Sequence, residues 1–317
     1  MKIIKSILCL ALSVTAAFAC LRTSAHAVDK VQLKLKLEKG ACYVFHHTSD
    51  QDITQTIQGK KQEIQQTMLF EYEMLVQDID KENNYIIKNS YTKVAFSQDG
   101  PMGTIEYDST KPSKTVHPVA KGFAGLVNQS FIIKMNKEGK VVDVIGVDKM
   151  LDSILKKMEF PTEAARKMTE KTMKKQFGED ALKEQMENMF LNYPEKPVGP
   201  GDKWTRSISL TRGFPMNIEN AYSLKKFEGD TAFINIRSTI RPNRNSEGMK
   251  MGNMTMKYNI QGVQTGTMEI NRITGLTTSS TLEQKMTGKI EINGKGAQNM
   301  SFPITIVSEV SLTCKKK

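Results

Sequence analysis

The chain has 317 residues, of which 39 % are hydrophobic and 25 % are charged, and its formal net charge is +11. This composition excludes a disordered tail and leaves room for two domains or one large β-rich domain. The lysines are scattered and are not interleaved with aromatic residues, so the basic excess predicts no nucleic-acid binding. A solvated surface accounts for the charge best, with attraction to an anionic envelope surface as the alternative.

Residues 1–27 have the pattern of an export signal. Lys2 and Lys5 precede an apolar run from Ile7 to Ala19, and small residues follow. The run is too short to span a bilayer comfortably, which favours a cleaved leader over a membrane anchor. No later segment is long and apolar enough to cross a membrane, so the sequence predicts an exported protein that is not transmembrane.

Two cleavage sites compete, one after Ala19 and one after Ala27. Cleavage after Ala19 would expose Cys20 and make it a candidate for lipidation. Phe18 and the lack of a leucine three positions before Cys20 weaken that lipidation motif. The predicted location is therefore the periplasm or the extracellular space, with membrane anchoring only if Cys20 is acylated.

Cysteine usage agrees with export. Cys42 and Cys314 are the two cysteines beyond the leader and its edge. One pair in an oxidising compartment predicts a disulfide that ties the first strands to the last. The alternative is two unrelated small residues of the core.

The chain then alternates between apolar and polar residues in the manner of half-buried strands. "VQLKLKLE", from Val31 to Glu38, is predicted to open a sheet. "TMLFEYEMLVQ" places Glu71 and Glu73 on one face of a strand. The opposite, apolar face of that strand carries Met68, Phe70, Tyr72, Met74 and Val76.

Helical spacing replaces this alternation in the middle of the chain. One helix is expected from Val147, a second is opened by Pro161, and a third follows Gly178. The predicted divisions are a signal peptide (1–27), an N-terminal β half (28–146), a helical segment (147–193) and a C-terminal β half (194–317).

The two β halves echo each other weakly. "KGACYVF" and "PGDKWTRSI" each introduce long strands, and "MNKEGKVVDV" matches "INRITGLTTS" as a glycine-containing turn between strands. The predicted fold class is mainly β (α+β), with two similar antiparallel curved sheets or half-barrels joined by the central helical segment.

The order "KGACYVFHHTSDQDITQTIQGKKQEIQQTM", "YPEKPVGPGDKW" and "GTMEINRITGLTTSSTLEQKMTGKI" resembles an uncharacterised family of exported bacterial proteins known only as a domain of unknown function. The resemblance implies an architecture like the curved half-barrel sheets of envelope lipoprotein and lipid carriers. It brings no activity and no functional residue. The loop "RPNRNSEGMKMGNM" looks like an addition to the family pattern.

Catalytic and metal-binding motifs are missing from the sequence. His46 and His47 are adjacent, so on a strand they face opposite sides and cannot serve one site. His117 precedes a proline in an expected loop, and "NGKGAQ" (293–298) is interpreted as a hairpin turn, because it lacks the Lys-Ser/Thr pair of a phosphate loop. No enzyme activity and no cofactor are predicted.

The stretch "MKMGNMTM" concentrates four methionines. If Gly252-Asn253 forms a two-residue turn, Met251 faces Met254 and Met249 faces Met256, with all four side chains on one side. Such a group predicts packing or a flexible apolar surface. A Cu(I) site is the weaker alternative, because no His or Cys is close in sequence.

The function predicted from the sequence is non-catalytic binding in the cell envelope, of a lipid or another apolar molecule, in the cavity of a curved β-sheet. The alternative is a structural or protein-interaction module with an envelope protein as partner and no ligand cavity. A hydrolytic protein is a third, weaker reading. The candidate ligand-binding residues are Met68, Phe70, Tyr72, Met74, Val76, Met254 and Met256.

Overall fold

The structure is a computed structural model, and it describes residues 30–101, 103–111, 117, 123–190, 193–211, 215–243, 248–251, 254–294 and 299–317. The predicted leader, its two cleavage sites and Cys20 lie outside the described residues. So do the turn at Gly252-Asn253 and the last four residues of "NGKGAQ".

Long strands dominate the described chain. Before the helices lie β1 (Cys42–Ile57), β2 (Lys60–Ile79), β3 (Tyr85–Asp99), β4 (Ile105–Asp108), β5 (Ser130–Met135) and β6 (Val141–Ile145). The helices are α1 (Val147–Lys157), α2 (Glu163–Phe177) and α3 (Glu179–Phe190). After them lie β7 (Lys203–Leu210), β8 (Met216–Glu228), β9 (Thr231–Pro242), β10 (Met249–Met251), β11 (Met254–Asn271), β12 (Thr277–Gly294) and β13 (Met300–Lys316).

All thirteen strands belong to one antiparallel sheet, with the order β6-β5-β3-β2-β1-β13-β12-β11-β9-β8-β7, and with β4 on β3 and β10 on β11. The prediction of two sheets is therefore wrong. Alternation identifies strands but does not name their neighbours, and here the last strand, β13, pairs with the first, β1. That pairing fuses the two halves into a single sheet.

The halves on either side of β13 repeat one strand order. Strands β6-β5-β3-β2-β1 on one side correspond to β12-β11-β9-β8-β7 on the other. Local details match as well: the Gly40 amide donates to the Val76 carbonyl at 2.8 Å, and the Gly201 amide donates to the Leu224 carbonyl at 2.8 Å. A register shift follows both Val76 and Leu224. The two halves share the same strand order and the same bulge.

Helix α3 contacts both edges of the sheet. Lys183 Nζ donates to the Val142 carbonyl of β6 at 2.7 Å. On the other side, Thr211 Oγ1, just after β7, donates to Glu184 Oε2 at 2.9 Å. Eleven strands about 4.8 Å apart would hold the edges of a flat sheet about 48 Å apart, whereas a helix of 12 residues is about 18 Å long. The sheet must therefore curl strongly.

Residues 31–37 are not a strand of the sheet, which corrects the prediction for "VQLKLKLE". The segment is extended and crosses one end of the curled sheet, where the Leu35 amide donates to the Lys137 carbonyl at 3.2 Å and the Lys36 amide donates to the Thr274 carbonyl at 2.8 Å. These two carbonyls belong to the corresponding β5–β6 and β11–β12 turns. The alternation is real, because Leu33, Leu35 and Leu37 are buried, but they face a core instead of a sheet neighbour.

The main core lies at this end, here called the closed end, between the inner face of the sheet, residues 31–37 and helix α1. It joins side chains from both halves, including Met74, Ile133, Leu224 and Ile270. The opposite, open end carries the tips of the long strands, such as the β1–β2 turn after Ile57. Among the described residues, no helix is long and apolar enough to cross a membrane.

Candidate functional site

The inner face, defined as the face that carries the core side chains, has a continuous line of polar residues midway between its two ends. Each member lies directly opposite the next in the strand register. From β3 through β2, β1, β13, β12, β11 and β9 to β8, this polar row consists of Gln98, Gln66, Gln51, Ser308, Gln284, Gln264, Ser238 and Asn220.

Hydrogen bonds link the side chains in one part of the polar row. The Ser308 hydroxyl donates to Gln284 Oε1 at 3.1 Å, Gln284 Nε2 donates to Gln264 Oε1, and Gln264 Nε2 donates to the Ser238 hydroxyl at 3.3 Å. The two serines are buried while the two glutamines are half-buried. The chain of bonds satisfies the serines and leaves the amides at the surface of the inner face.

The side chains of the polar row on β1, β2 and β3 make fewer hydrogen bonds. Gln51 Nε2 donates to the Ser49 hydroxyl at 3.1 Å. Among the described residues, the side-chain amides of Gln66 and Gln98 have no hydrogen-bond partner, and both residues are half-buried. An amide offers two N–H donors and a carbonyl with two lone pairs. The polar row therefore retains hydrogen-bonding capacity on both sides of the β1–β13 seam.

A second line of residues runs parallel to the polar row, one step nearer the open end. Its members are opposite one another in register, and all except the buried Ile240 are half-buried. This aliphatic row consists of Ile64, Ile53, Ile306, Met286, Gly262, Ile240, Ile218 and Ile208. Six of its eight members are large side chains that remain partly exposed, and they form an apolar stripe that is interrupted at Gly262 and Ile240.

The five residues predicted as an apolar face of β2 do share the inner face. Met74 and Val76 are fully buried in the core at the closed end, packed against protein. Met68, Phe70 and Tyr72 are half-buried and lie between that core and the polar row. Of the five predicted residues, only these three leave side-chain surface exposed on the inner face.

Aromatic rings surround those three residues. Tyr72 stacks on Phe45 with ring centroids 5.1 Å apart, and Tyr91 meets both Phe70 and Tyr72 edge-on at 6.3 and 6.2 Å. Burial raises the pKa of the Tyr72 hydroxyl well above its usual range and also raises the pKa of the Tyr91 hydroxyl. Both phenols are therefore neutral hydrogen-bonding groups at physiological pH.

The methionine pairing predicted around Gly252-Asn253 is confirmed. Met249 pairs with Met256 and Met251 pairs with Met254 in antiparallel register. Met254 is exposed and Met256 is half-buried, and both are in phase with the inner face of β11. The side chains of Met249 and Met251 lie outside the described part of the structure, so the weaker alternative of a Cu(I) site is not tested.

His46 and His47 face opposite sides of β1, as their adjacency predicts. His46 lies on the outer face, with Nδ1 3.1 Å from Glu71 Oε2. His47 lies on the inner face against Phe70, with ring centroids 6.4 Å apart, and burial lowers the pKa of His47 below its usual value. The strand thus separates the two imidazoles.

The predicted disulfide between Cys42 and Cys314 is absent, since both are free thiols. Cys314 lies opposite Phe45 on the inner face, whereas Cys42 alternates with the inward Tyr43 and faces outward. A bridge requires Cβ atoms about 3.8 Å apart that point toward each other. The first and last strands are neighbours, as the predicted bridge required, but the two cysteines lie on opposite faces of the sheet.

The polar row was missed in the sequence. Its signal is a single polar residue in the apolar phase of each strand, as in "YNIQGVQTGTMEI", where Gln264 shares the phase of Tyr258, Ile260 and Met268. A lone glutamine in one strand has no meaning by itself. Only the register shows that these residues form one line across the sheet.

Together, the curled antiparallel sheet and its inner face define a β protein with a partly exposed, amphipathic concave surface, whose polar and aliphatic rows contain no ionisable side chain. A model described as a family of unknown function (DUF6263) matches residues 82–277, and the protein belongs to this family. The uncharacterised family predicted from the sequence is thereby confirmed. None of the curated proteins matches the chain.

Several solved structures align over most of the chain with low scores. OccK7 (OpdD) of Pseudomonas aeruginosa has 6 % identity and a TM-score of 0.22, and the alignment covers 88 % of this chain and 100 % of that one. The translocator domain of the autotransporter NalP from Neisseria meningitidis has 6 % identity, a TM-score of 0.21 and coverages of 88 % and 90 %. The COG4313 outer membrane channel from Pseudomonas putida F1 has 7 % identity, a TM-score of 0.17 and coverages of 88 % and 97 %. TM-scores of this size do not establish a shared fold.

Proposed function

We propose that the protein binds a lipid or another apolar molecule on the inner face of its curled sheet, without catalysing a reaction. The observation that supports this proposal is the aliphatic row, which keeps large side chains half-buried on six of its eight strands. A purely structural sheet would be expected to cover such a surface with its own chain, because exposed apolar area is costly in water. A bound hydrocarbon chain would remove that area from water.

The protein is proposed to act in the cell envelope after export. The support is the predicted leader, residues 1–27, and the choice between a released and an anchored form depends on whether Cys20 is acylated. Determining the mass of the mature N-terminus distinguishes cleavage before Cys20 from cleavage after Ala27.

Native mass spectrometry tests the binding proposal most directly. The full chain would be expressed with its own leader and released gently from the envelope. A mass excess equal to one lipid or fatty acid is expected, whereas a bare polypeptide would contradict the proposal.

A matched pair of variants locates the ligand. Ile306 faces inward in the aliphatic row, and its neighbour Val307 faces outward and is 46 % exposed. We expect Ile306→Asn to lose the bound mass and Val307→Asn to keep it. Equal retention by both would place the ligand elsewhere.

The second candidate function is a protein-interaction module. Edge strand β6 favours it, because Val142 and Ile145 are 40 % and 51 % exposed there although helix α3 contacts this edge, and exposed apolar side chains favour contact with another protein. The same mass measurement separates the two candidates, since the interaction module would be recovered without lipid.

A further inference from the structure

We propose that the polar row is a subsite for an uncharged group of an amphipathic lipid that both donates and accepts hydrogen bonds, such as a hydroxyl or an amide. The hydrocarbon chain of that lipid would lie along the aliphatic row. This inference rests on the proposed lipid binding and specifies the class of lipid: a neutral headgroup, as in a monoacylglycerol, and not a free carboxylate or a phosphate.

The first reason for a neutral headgroup is that the two rows offer no cation to a charged one. Among the described members of the polar and aliphatic rows there is no ionisable side chain. Arg206 of β7 lies opposite Asn220 at the end of the polar row, but its Nη1 is 2.8 Å from Glu195 Oε1 and its Nε donates to the Tyr193 carbonyl at 3.0 Å. A ligand carboxylate or phosphate would therefore leave water without a cation to pair with, which is unfavourable.

The second reason is that the side-chain amides of the polar row have both donors and acceptors left over. Within the linked part of the row, Gln264 and Gln284 each donate one N–H and accept one bond. Each amide therefore keeps one N–H donor and one carbonyl lone pair. A group that both donates and accepts, such as a hydroxyl, can use both, whereas a carboxylate can only accept.

The third reason is the spacing between the polar row and the aliphatic row along each strand. Consecutive inner positions on one strand are about 6.6 to 6.8 Å apart, so a headgroup on Gln284 places the first carbons of its chain beside Met286 and Ile306 of the aliphatic row. The two rows thus match the polar and apolar parts of one small lipid.

The test compares three defined probes on the full chain after delipidation: 1-monoolein, oleate at pH 8, and dioleoylphosphatidylglycerol. Binding of each is measured by titration in native mass spectrometry. Wild-type protein is expected to bind monoolein at least about tenfold more tightly than oleate or the phospholipid, because the charged groups lack a partner. Equal affinity for all three would overturn this inference and leave the proposed lipid binding in place. Binding of none would overturn both.

Variants show whether the polar row causes the preference. The double variant Gln264→Leu/Gln284→Leu should weaken monoolein binding about tenfold with little change for oleate. Gln261→Leu removes an exposed amide on the outer face of the same strand and should change neither. Unchanged monoolein binding in the double variant would overturn the proposal.

Two single variants keep the test decisive if the double variant does not fold. Gln264→Leu alone leaves the Ser308–Gln284 hydrogen bond in place, and monoolein binding should weaken about threefold. Gln284→Lys adds a cation to the polar row and should reverse the preference in favour of oleate. A lysine variant that still prefers monoolein would contradict the inference.

Discussion

Ser308 of β13 lies directly opposite Gln51 of β1 and Gln284 of β12, and its buried hydroxyl donates to Gln284 Oε1 at 3.1 Å. We expect Ser308→Ala to lower the free energy of unfolding by about 1 kcal/mol, because it removes one buried hydrogen bond. Chemical denaturation measures the change. Ser301→Ala, at an exposed position of the same strand, is the control and should be neutral.

A double-mutant cycle shows whether the hydrogen bond is the cause. If it is, Ser308→Ala combined with Gln284→Leu should destabilise less than the sum of the two single changes. Additive effects would mean that Ser308 contributes by packing alone.

Leu35 tests the extended segment at the closed end. Its side chain is fully buried, and Leu35→Ala should lower the free energy of unfolding by about 2 to 5 kcal/mol through lost burial and a cavity. Lys34→Ala changes the exposed neighbour and should have an effect within about 0.5 kcal/mol. Thermal or urea denaturation of the two variants in parallel provides the comparison. Similar stabilities would show that residues 31–37 do not seal the core.

His47 should make stability depend on pH. Its pKa is lowered by burial in the folded state, whereas an unfolded histidine takes up a proton near pH 6.5. The unfolded state therefore binds more protons as the pH falls through about 6.5, so this contribution to stability is present above that pH and is lost below it. We expect His47→Gln to flatten the stability profile between pH 7 and 5, measured by urea denaturation at each pH. His117→Gln, at an exposed histidine, is the control, and an identical flattening there would contradict the assignment.

The two cysteines should both be reduced. Unfolding in guanidinium without a reductant, followed by iodoacetamide, should label Cys42 and Cys314 in the same molecule. In the folded protein Cys314 should react slowly, because burial raises the pKa of its thiol to about 12 and the thiolate is the reactive form. If the mature chain is lighter by two hydrogens than the reduced chain and neither cysteine is labelled, the two cysteines form a disulfide instead.

The sequence predicted the local structure better than the arrangement of the elements. Alternation identified the β2 face that carries Met68, and helical spacing identified the helices after Val147 and Pro161. These signals are local, because each depends on neighbours two to four residues away. One of the two strands that pair with β1 is β13, which is more than two hundred residues distant in sequence. No local pattern encodes that pairing.

The candidate site was harder to predict for the same reason. Leu33 and Leu35 alternate as in a strand, yet they face a core made by other elements. Gln264 and Gln284 become a pair only when β11 and β12 are in register. A residue whose role depends on its cross-strand neighbour cannot be recognised until that register is known.

The seam between β1 and β13 sets the order in which the sheet can form. The first strand of the sheet must wait for the last, since Tyr43 pairs with Lys316 and Gln55 pairs with Ile304. Such distant pairing slows folding. Until β13 is available to pair, the edge of β1 is exposed to other chains. A chain truncated before residue 300 should therefore aggregate instead of forming half of the sheet.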